Sequence, residues 1–326
     1  MDIVRLDLPG KGGGEGSPEA EAARIEALRL RAAEALERAY RFLENQGDSW
    51  ALLRAQVLCE ARPPSAVSDR MTAIQAPDGH LPIGTLVSGG AAGFPAIDPG
   101  RLESADRALV GTLEALLVAA DARTMHAGWV EPAVRYLEAI QRKDGSFRLE
   151  AQGGDGSGSS SPADPQSEAF WTAFWTGMVA GVLGRTPLSR PACLDPAGDY
   201  LAARFEPGLV EGEAGYPALL AISHFFTNVA HDLSDEVLQW CGRALEKGFR
   251  SRQIDAVATL RVLLTCDAQA MPGASFDVTE LLEGVLAEQA GDGGFAELSP
   301  GGPAARTTQT FDAMLALVRL CGALGE

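Results

Sequence analysis

Helical segments of two kinds alternate along this chain of 326 residues. One kind is amphipathic and charged, at residues 18–46, 131–141, 234–247 and 278–289. The other is apolar nearly all round, at residues 109–120, 169–183, 216–229, 256–266 and 310–321. An amphipathic helix buries one stripe, whereas a helix that is apolar on every side must be surrounded. The alternation therefore predicts two layers, half-polar helices outside and apolar helices inside. Pairing the segments in chain order gives six hairpins: 18–46 with 49–60, 65–75 with 103–122, 129–141 with 165–183, 195–204 with 213–230, 234–247 with 252–266, and 276–289 with 306–321. Six outer and six inner helices predict an all-α fold, a single α/α toroid over residues 18–326, with an open solenoid of helix pairs as the alternative. The Gly-rich residues 1–17 read as a flexible N-terminal tail, and 77–102 and 148–164 as long loops, the first able to cover a cavity mouth.

A short phrase recurs where an outer segment gives way to an inner one: Gln, a small turn with Asp-Gly, then a bulky residue. It reads IQAPDGHL at 74–81, IQRKDGSF at 140–147 and LAEQAGDGGF at 286–295, with a degenerate copy, LENQGDSW, at 43–50. Glycine supplies the positive φ that ends the outer helix, Asp caps the turn, and the bulky residue fills the gap between hairpins. A recurring unit of this length predicts a repeat architecture.

This turn, followed by a buried helix, resembles the repeat of protein prenyltransferase β-subunits and of squalene and oxidosqualene cyclases. The best stretch is GGFAELSPGGPAARTTQTFDAMLAL at 293–317. The resemblance covers roughly residues 35–322 and implies an isoprenoid-handling α/α toroid. The zinc ligands of the prenyltransferases do not carry over: their His position corresponds to Gln309, and no inner helix begins with an Asp-x-Cys pair. Squalene-type cyclases protonate an alkene with an Asp of a DxDD motif. RQIDAVATL at 252–260 resembles that helix start and keeps a single acid, Asp255.

The resemblance thus implies an enzyme acting on a hydrophobic, isoprenoid substrate in a central cavity, with Asp255 as the proton donor. Phe170, Trp171, Phe174 and Trp175 form two i,i+4 aromatic pairs that could wall a cation, or else pack as core. Glu168, Arg252, Arg306, Gln309 and Asp312 would join Asp106, Arg107 and Gln166 in a polar rim at the starts of the inner helices, where capping is the structural alternative. A second reading is a non-catalytic toroid that binds a lipid or a peptide partner. A third is an (α/α)₆ carbohydrate enzyme, which 6% aromatic residues disfavour.

Net charge is −17, so nucleic acid and anionic bilayers are not expected partners. The longest uncharged apolar run, 169–184, is shorter than the ~20 residues of a membrane span. Five scattered cysteines, none in a CxxC pair, read as buried thiols of a reducing cytoplasm. His224 and His231 stand seven residues apart, about 10 Å by helical rise, which is too far to share a metal. No metal site and no cofactor are expected, and DLSDE at 232–236 reads as a helix cap.

Overall fold

The computed structural model describes residues 18–46, 48–82, 102–150, 167–268, 270–295 and 302–324. The expected tail at 1–17, most of the two long loops, and Gln166 lie outside them. Among the described residues every extended regular element is helical: α1 (Pro18–Gln46), α2 (Ser49–Leu58), α3 (Ser65–Ile74), α4 (Ser104–Asp121), α5 (Val130–Ile140), α6 (Glu168–Gly184), α7 (Pro191–Ala202), α8 (Gly212–Asn228), α9 (Ser234–Arg250), α10 (Ala256–Thr265), α11 (Val278–Glu288) and α12 (Gly302–Ala323), with a 3-10 turn at Pro207–Val210. These are the six predicted pairs in order, and the chain is all-α.

Local sequence fixes the starts. Asp48 accepts from the amides of Trp50 and Ala51 to begin α2, Ser167 from Phe170 to begin α6, and Asp277 from Thr279 to begin α11. Several predicted boundaries shift by a few residues, as where α7 starts at Pro191 rather than 195 and α12 at Gly302 rather than 306. The sequence reading ends the ninth helix at 247 and starts the tenth at 252, but α9 runs to Arg250 and α10 starts at Ala256. Arg252 takes the left-handed conformation, φ 59°, and amides 252 and 253 bond back to Phe249 and Gly248, closing α9 with a C-terminal cap that glycine usually supplies.

The apolar helices pack on one another: α12 on α2, α4 on α6, α6 on α8, α8 on α10, and α10 on α12. The amphipathic helices cover them. The first described helix, α1, lies against the last two, α11 and α12. Cys193, Cys241 and Cys266 are buried as expected, but Cys321 is only half-buried and Cys59, the residue after α2, is exposed.

The recurring turn is built the same way three times. Gln75 Nε2 donates to its own turn at Gly79 O (2.8 Å) and across to Trp129 O (2.8 Å), just before α5. Gln141 donates to Gly145 O (2.9 Å) and to Cys193 O of α7 (2.8 Å). Gln289 donates to Gly293 O (3.0 Å) and to Ala35 O of α1 (2.8 Å). Each glutamine therefore ties one outer helix to the next, and the last ties α11 to the first helix of the chain. The bulky residue then turns inward: the amides of Leu81, Phe147 and Phe295 donate to the hydroxyls of Thr112, Thr176 and Thr310 on the following inner helix, at 3.0, 3.0 and 3.1 Å. All three bulky side chains are buried. The degenerate copy at 43–50 retains the Asp48 cap and the buried Trp50.

Candidate functional site

The expected rim residues divide into separate arrangements. Asp255 is the N-cap of α10: its Oδ1 accepts from the Ala258 amide at 2.7 Å. Glu288, the last residue of α11, accepts from the next two amides, Ala256 at 2.6 Å and Val257 at 3.2 Å. Two carboxyls thus share one helix N-terminus. Burial, and then the neighbouring Asp255, push Glu288 up to about 7 despite those bonds. Burial likewise raises Asp255 above the ordinary aspartate range. Glu288 went unnoticed in the sequence reading. Its signal was there, because the residue before the repeat's glutamine is Ile74 and Ile140 in the other two copies.

Arg306 belongs to the repeat turn rather than to a ligand-facing rim. It holds Asp292 through two parallel bonds of 2.6 and 2.7 Å and lies 4.8 Å over the Phe42 ring. Glu168 pairs with Arg148 at the surface, and Arg252 is exposed. Phe170, Phe174 and Trp175 are fully buried and Trp171 partly so. The four rings form a row of edge-on contacts with centroids 4.9–5.6 Å apart. That is core packing, with Trp171 alone keeping accessible surface.

Gln309 and Asp312 are buried on α12, and Asp312 is part of a buried charge cluster. Arg54 of α2 donates to Asp121 Oδ2 at the end of α4 (3.1 Å). The same oxygen meets Arg261 of α10 (3.3 Å), which also meets Asp312 (3.3 Å). Four inner helices are therefore joined by one chain of ion pairs, with all four side chains at most 8% exposed. Burial works against the Arg261 guanidinium, yet Asp312 and Asp121 together hold its pKa above the ordinary arginine value. Tyr216 of α8, fully enclosed, donates to Ala258 O at 2.8 Å.

Glu114 of α4 stands beside this cluster. Part of the residue is accessible, but its Oε2 is sealed and has no partner among the described residues. Burial pushes its carboxyl up to about 8, with Arg54 offsetting part of the rise. A Glu114 that keeps its proton at neutral pH leaves two guanidiniums balanced by two aspartates. A carboxyl whose pKa is higher folded than unfolded binds more protons in the folded state, so its stabilisation is lost as pH rises through the folded value. For Glu114 the window runs from about 4.5 to about 8. The unfolding free energy of the parent, measured by urea, should fall across that window by an amount on the order of a few kcal/mol. Glu114→Gln should flatten the curve above about pH 7, leaving only the Glu288 contribution below it. An unchanged slope above pH 7 would show that Glu114 is ionised in the folded protein.

Arg54 and Asp121 also form the floor of a pocket of about 800 Å³ at the C-terminal ends of α2 and α4. Phe311 of α12 lies flat under the Arg54 guanidinium, 3.8 Å from its carbon. Val57, Val118, Leu315 and Val318 make apolar walls, and Glu60, Arg62, Arg123 and Arg319 supply charge. The volume is within the roughly 300–1,000 Å³ of small-molecule sites. Nothing in the sequence reading pointed here, because the lining comes from three helices and a short link far apart in the chain.

Among the described residues no three His, Cys, Asp or Glu side chains converge as metal ligands, and no helix is long and apolar enough to cross a membrane. Comparison with protein-family models, with curated proteins and with solved structures found no match to this chain.

Proposed function

We propose that the six helical pairs close into a toroid like that of the prenyltransferase and squalene-cyclase repeat family, and that the ring serves to bind a hydrophobic small molecule. Closure is supported by the repeat turn itself. Gln289 reaches α1 with the same pair of bonds by which Gln75 and Gln141 reach the outer helices that follow them. Binding is supported by one observation above all, the pocket of about 800 Å³ with apolar walls over a charged floor. The ion-pair chain from α4 to α10 and α12 fills the interior beside that pocket, so the ligand would sit at the C-terminal ends of the inner helices.

Native mass spectrometry with squalene, farnesyl diphosphate and geranylgeranyl diphosphate tests this reading. A saturable one-to-one adduct with at least one of them is expected, and Leu315→Trp, which fills the pocket, should remove it. An adduct indifferent to Leu315→Trp would dispose of the pocket as the site, and failure of all three ligands would remove uncharged and diphosphate isoprenoids as its occupants.

A second reading, acid-initiated chemistry on an alkene, rests on the Asp255 and Glu288 carboxyls at the start of α10. Both carboxyls are raised by burial, and Glu288, pushed up to about 7, keeps its proton in part of the molecules at neutral pH. Product formation from a bound isoprenoid that is lost in Glu288→Gln while binding persists would favour it. Turnover that survives both Glu288→Gln and Asp255→Asn would remove it.

A further inference from the structure

We infer that the pocket at the ends of α2 and α4 is built for a long-chain monocarboxylate, an apolar tail with a single anionic head. The inference rests on the reading of this pocket as the ligand site and adds the chemistry of the ligand.

Acidic residues outnumber lysine and arginine by 44 to 27 in this chain. Surface arginines in such a protein readily find carboxylates, as Arg24, Arg41, Arg135, Arg142, Arg190 and Arg250 do. At the pocket the balance is reversed. Arg62, Arg123 and Arg319 line it without meeting a carboxylate among the described residues, and Glu60 is the one acid beside them not already held by an arginine.

The floor beneath them is fixed. Arg54 is 7% exposed, and its Nε–H has no acceptor among the described residues. That nitrogen is sealed from solvent as well, so it belongs to the packed floor and lies out of reach of an occupant. Arg54 is stacked on Phe311 and tied to Asp121, so it cannot swing away to find water.

Charge counting sets the size of the head. The buried Arg54, Arg261, Asp121 and Asp312 cancel one another. The remaining three guanidiniums face Glu60 and the carbonyl ends of α2 and α4, each end worth about half a negative charge. About one positive charge is left. One carboxylate neutralises it, whereas a diphosphate would overcharge a site that offers no cluster of acids to hold a compensating divalent cation. The valine and leucine walls and Phe311 then take the chain. An anionic bilayer is a poor source of the same chemistry, because a net charge of −17 repels its surface.

Three ligands with one skeleton isolate the head: farnesoate, farnesol and farnesyl diphosphate, with laurate as a second tail. Titration calorimetry on the full chain should give farnesoate and laurate one-to-one, with farnesol and farnesyl diphosphate each at least tenfold weaker. Arg62→Gln with Arg319→Gln should lose at least tenfold for farnesoate and little for farnesol. Arg123 has φ 57°, a conformation glycine adopts without strain, so Arg123→Gly should bind farnesoate less well while melting no lower than the parent. Farnesol binding as tightly as farnesoate would overturn the anionic head and leave the apolar pocket standing. Farnesyl diphosphate binding tighter than farnesoate would overturn the single charge. Binding of none of the four, or binding unaffected by Leu315→Trp, would remove the pocket reading itself.

Discussion

Asp121→Asn lowers stability by about 3–5 kcal/mol, the cost of breaking a buried ion pair from one side. Asp121 Oδ2 is the shared acceptor of Arg54 and Arg261, at 3.1 and 3.3 Å, and its side chain is 8% exposed. The amide that replaces it carries no charge, so two guanidiniums remain enclosed, and among the described residues Asp312 is the one remaining acid paired with either of them. Glu114 then supplies partial relief. With its neighbour Arg54 uncompensated, its carboxyl gives up its proton more readily, and the pH at which stability is lost should move down from about 8. Equilibrium urea unfolding at pH 5 and pH 8 measures both effects. The simultaneous change of Arg54 and Arg261 to Met and of Asp121 and Asp312 to Leu should recover most of the loss, because a buried network replaced whole by apolar side chains is often neutral or stabilising. A loss below about 1 kcal/mol in Asp121→Asn would mean that water reaches the cluster and screens it.

That cluster also marks the limit of what the sequence discloses. Three of its members and the neighbouring Glu114 are each a lone charge in an otherwise uncharged stretch: Arg54 in SWALLRAQVL, Glu114 in LVGTLEALLV, Arg261 in AVATLRVLLT and Asp312 in TFDAMLAL. A charge in such a setting must find a partner, so the existence of buried pairs could be read from the chain. Their identity could not, because Arg261 and Asp121 are 140 residues apart and Arg54 and Asp121 67 apart. Helix pairing was legible for the opposite reason. Amphipathic and all-round apolar segments differ in a local pattern, and the Gln and Asp-Gly turn punctuates them within eight to ten residues. The threonines that receive the turn's bulky residue escaped notice because a single Thr in an apolar helix looks like filler. Asp255 was singled out for its place at a helix start, yet its partner Glu288 sits on a different helix pair, and only packing brings the two carboxyls to one N-terminus. The pocket was invisible for a similar reason: its arginines lie in the α2–α3 link, after α4 and on α12.

Gly293→Ala should be among the most damaging single-methyl additions in the chain, destabilising by roughly 3 kcal/mol or more. Gly293 has φ 93°, where any β-carbon is strained, and a β-carbon there would stand 2.5 Å from Arg38 O, a backbone atom of α1 that cannot yield without moving the helix. Gly79 and Gly145 face the same obstacle, with contacts of 2.3 Å to Pro132 O and 2.2 Å to Pro196 O. The three substitutions should cost similar amounts but open different seams. Gly145→Ala pushes the turn away from α7, whereas Gly293→Ala pushes α11 away from α1 and weakens the two bonds that Gln289 makes with Gly293 O and Ala35 O. In the proposed ring that is the closing contact, so hydrogen exchange should accelerate along α1 in Gly293→Ala and leave α1 protected in Gly145→Ala. Gly128→Ala is the control, since its β-carbon meets nothing within 4 Å and should change stability by no more than about 0.5 kcal/mol. Equal protection of α1 in all three variants would mean that α12 and α2 hold α1 without the turn. The turn of 289–295 would then be a decoration on an open array of helix pairs rather than the clasp of a ring.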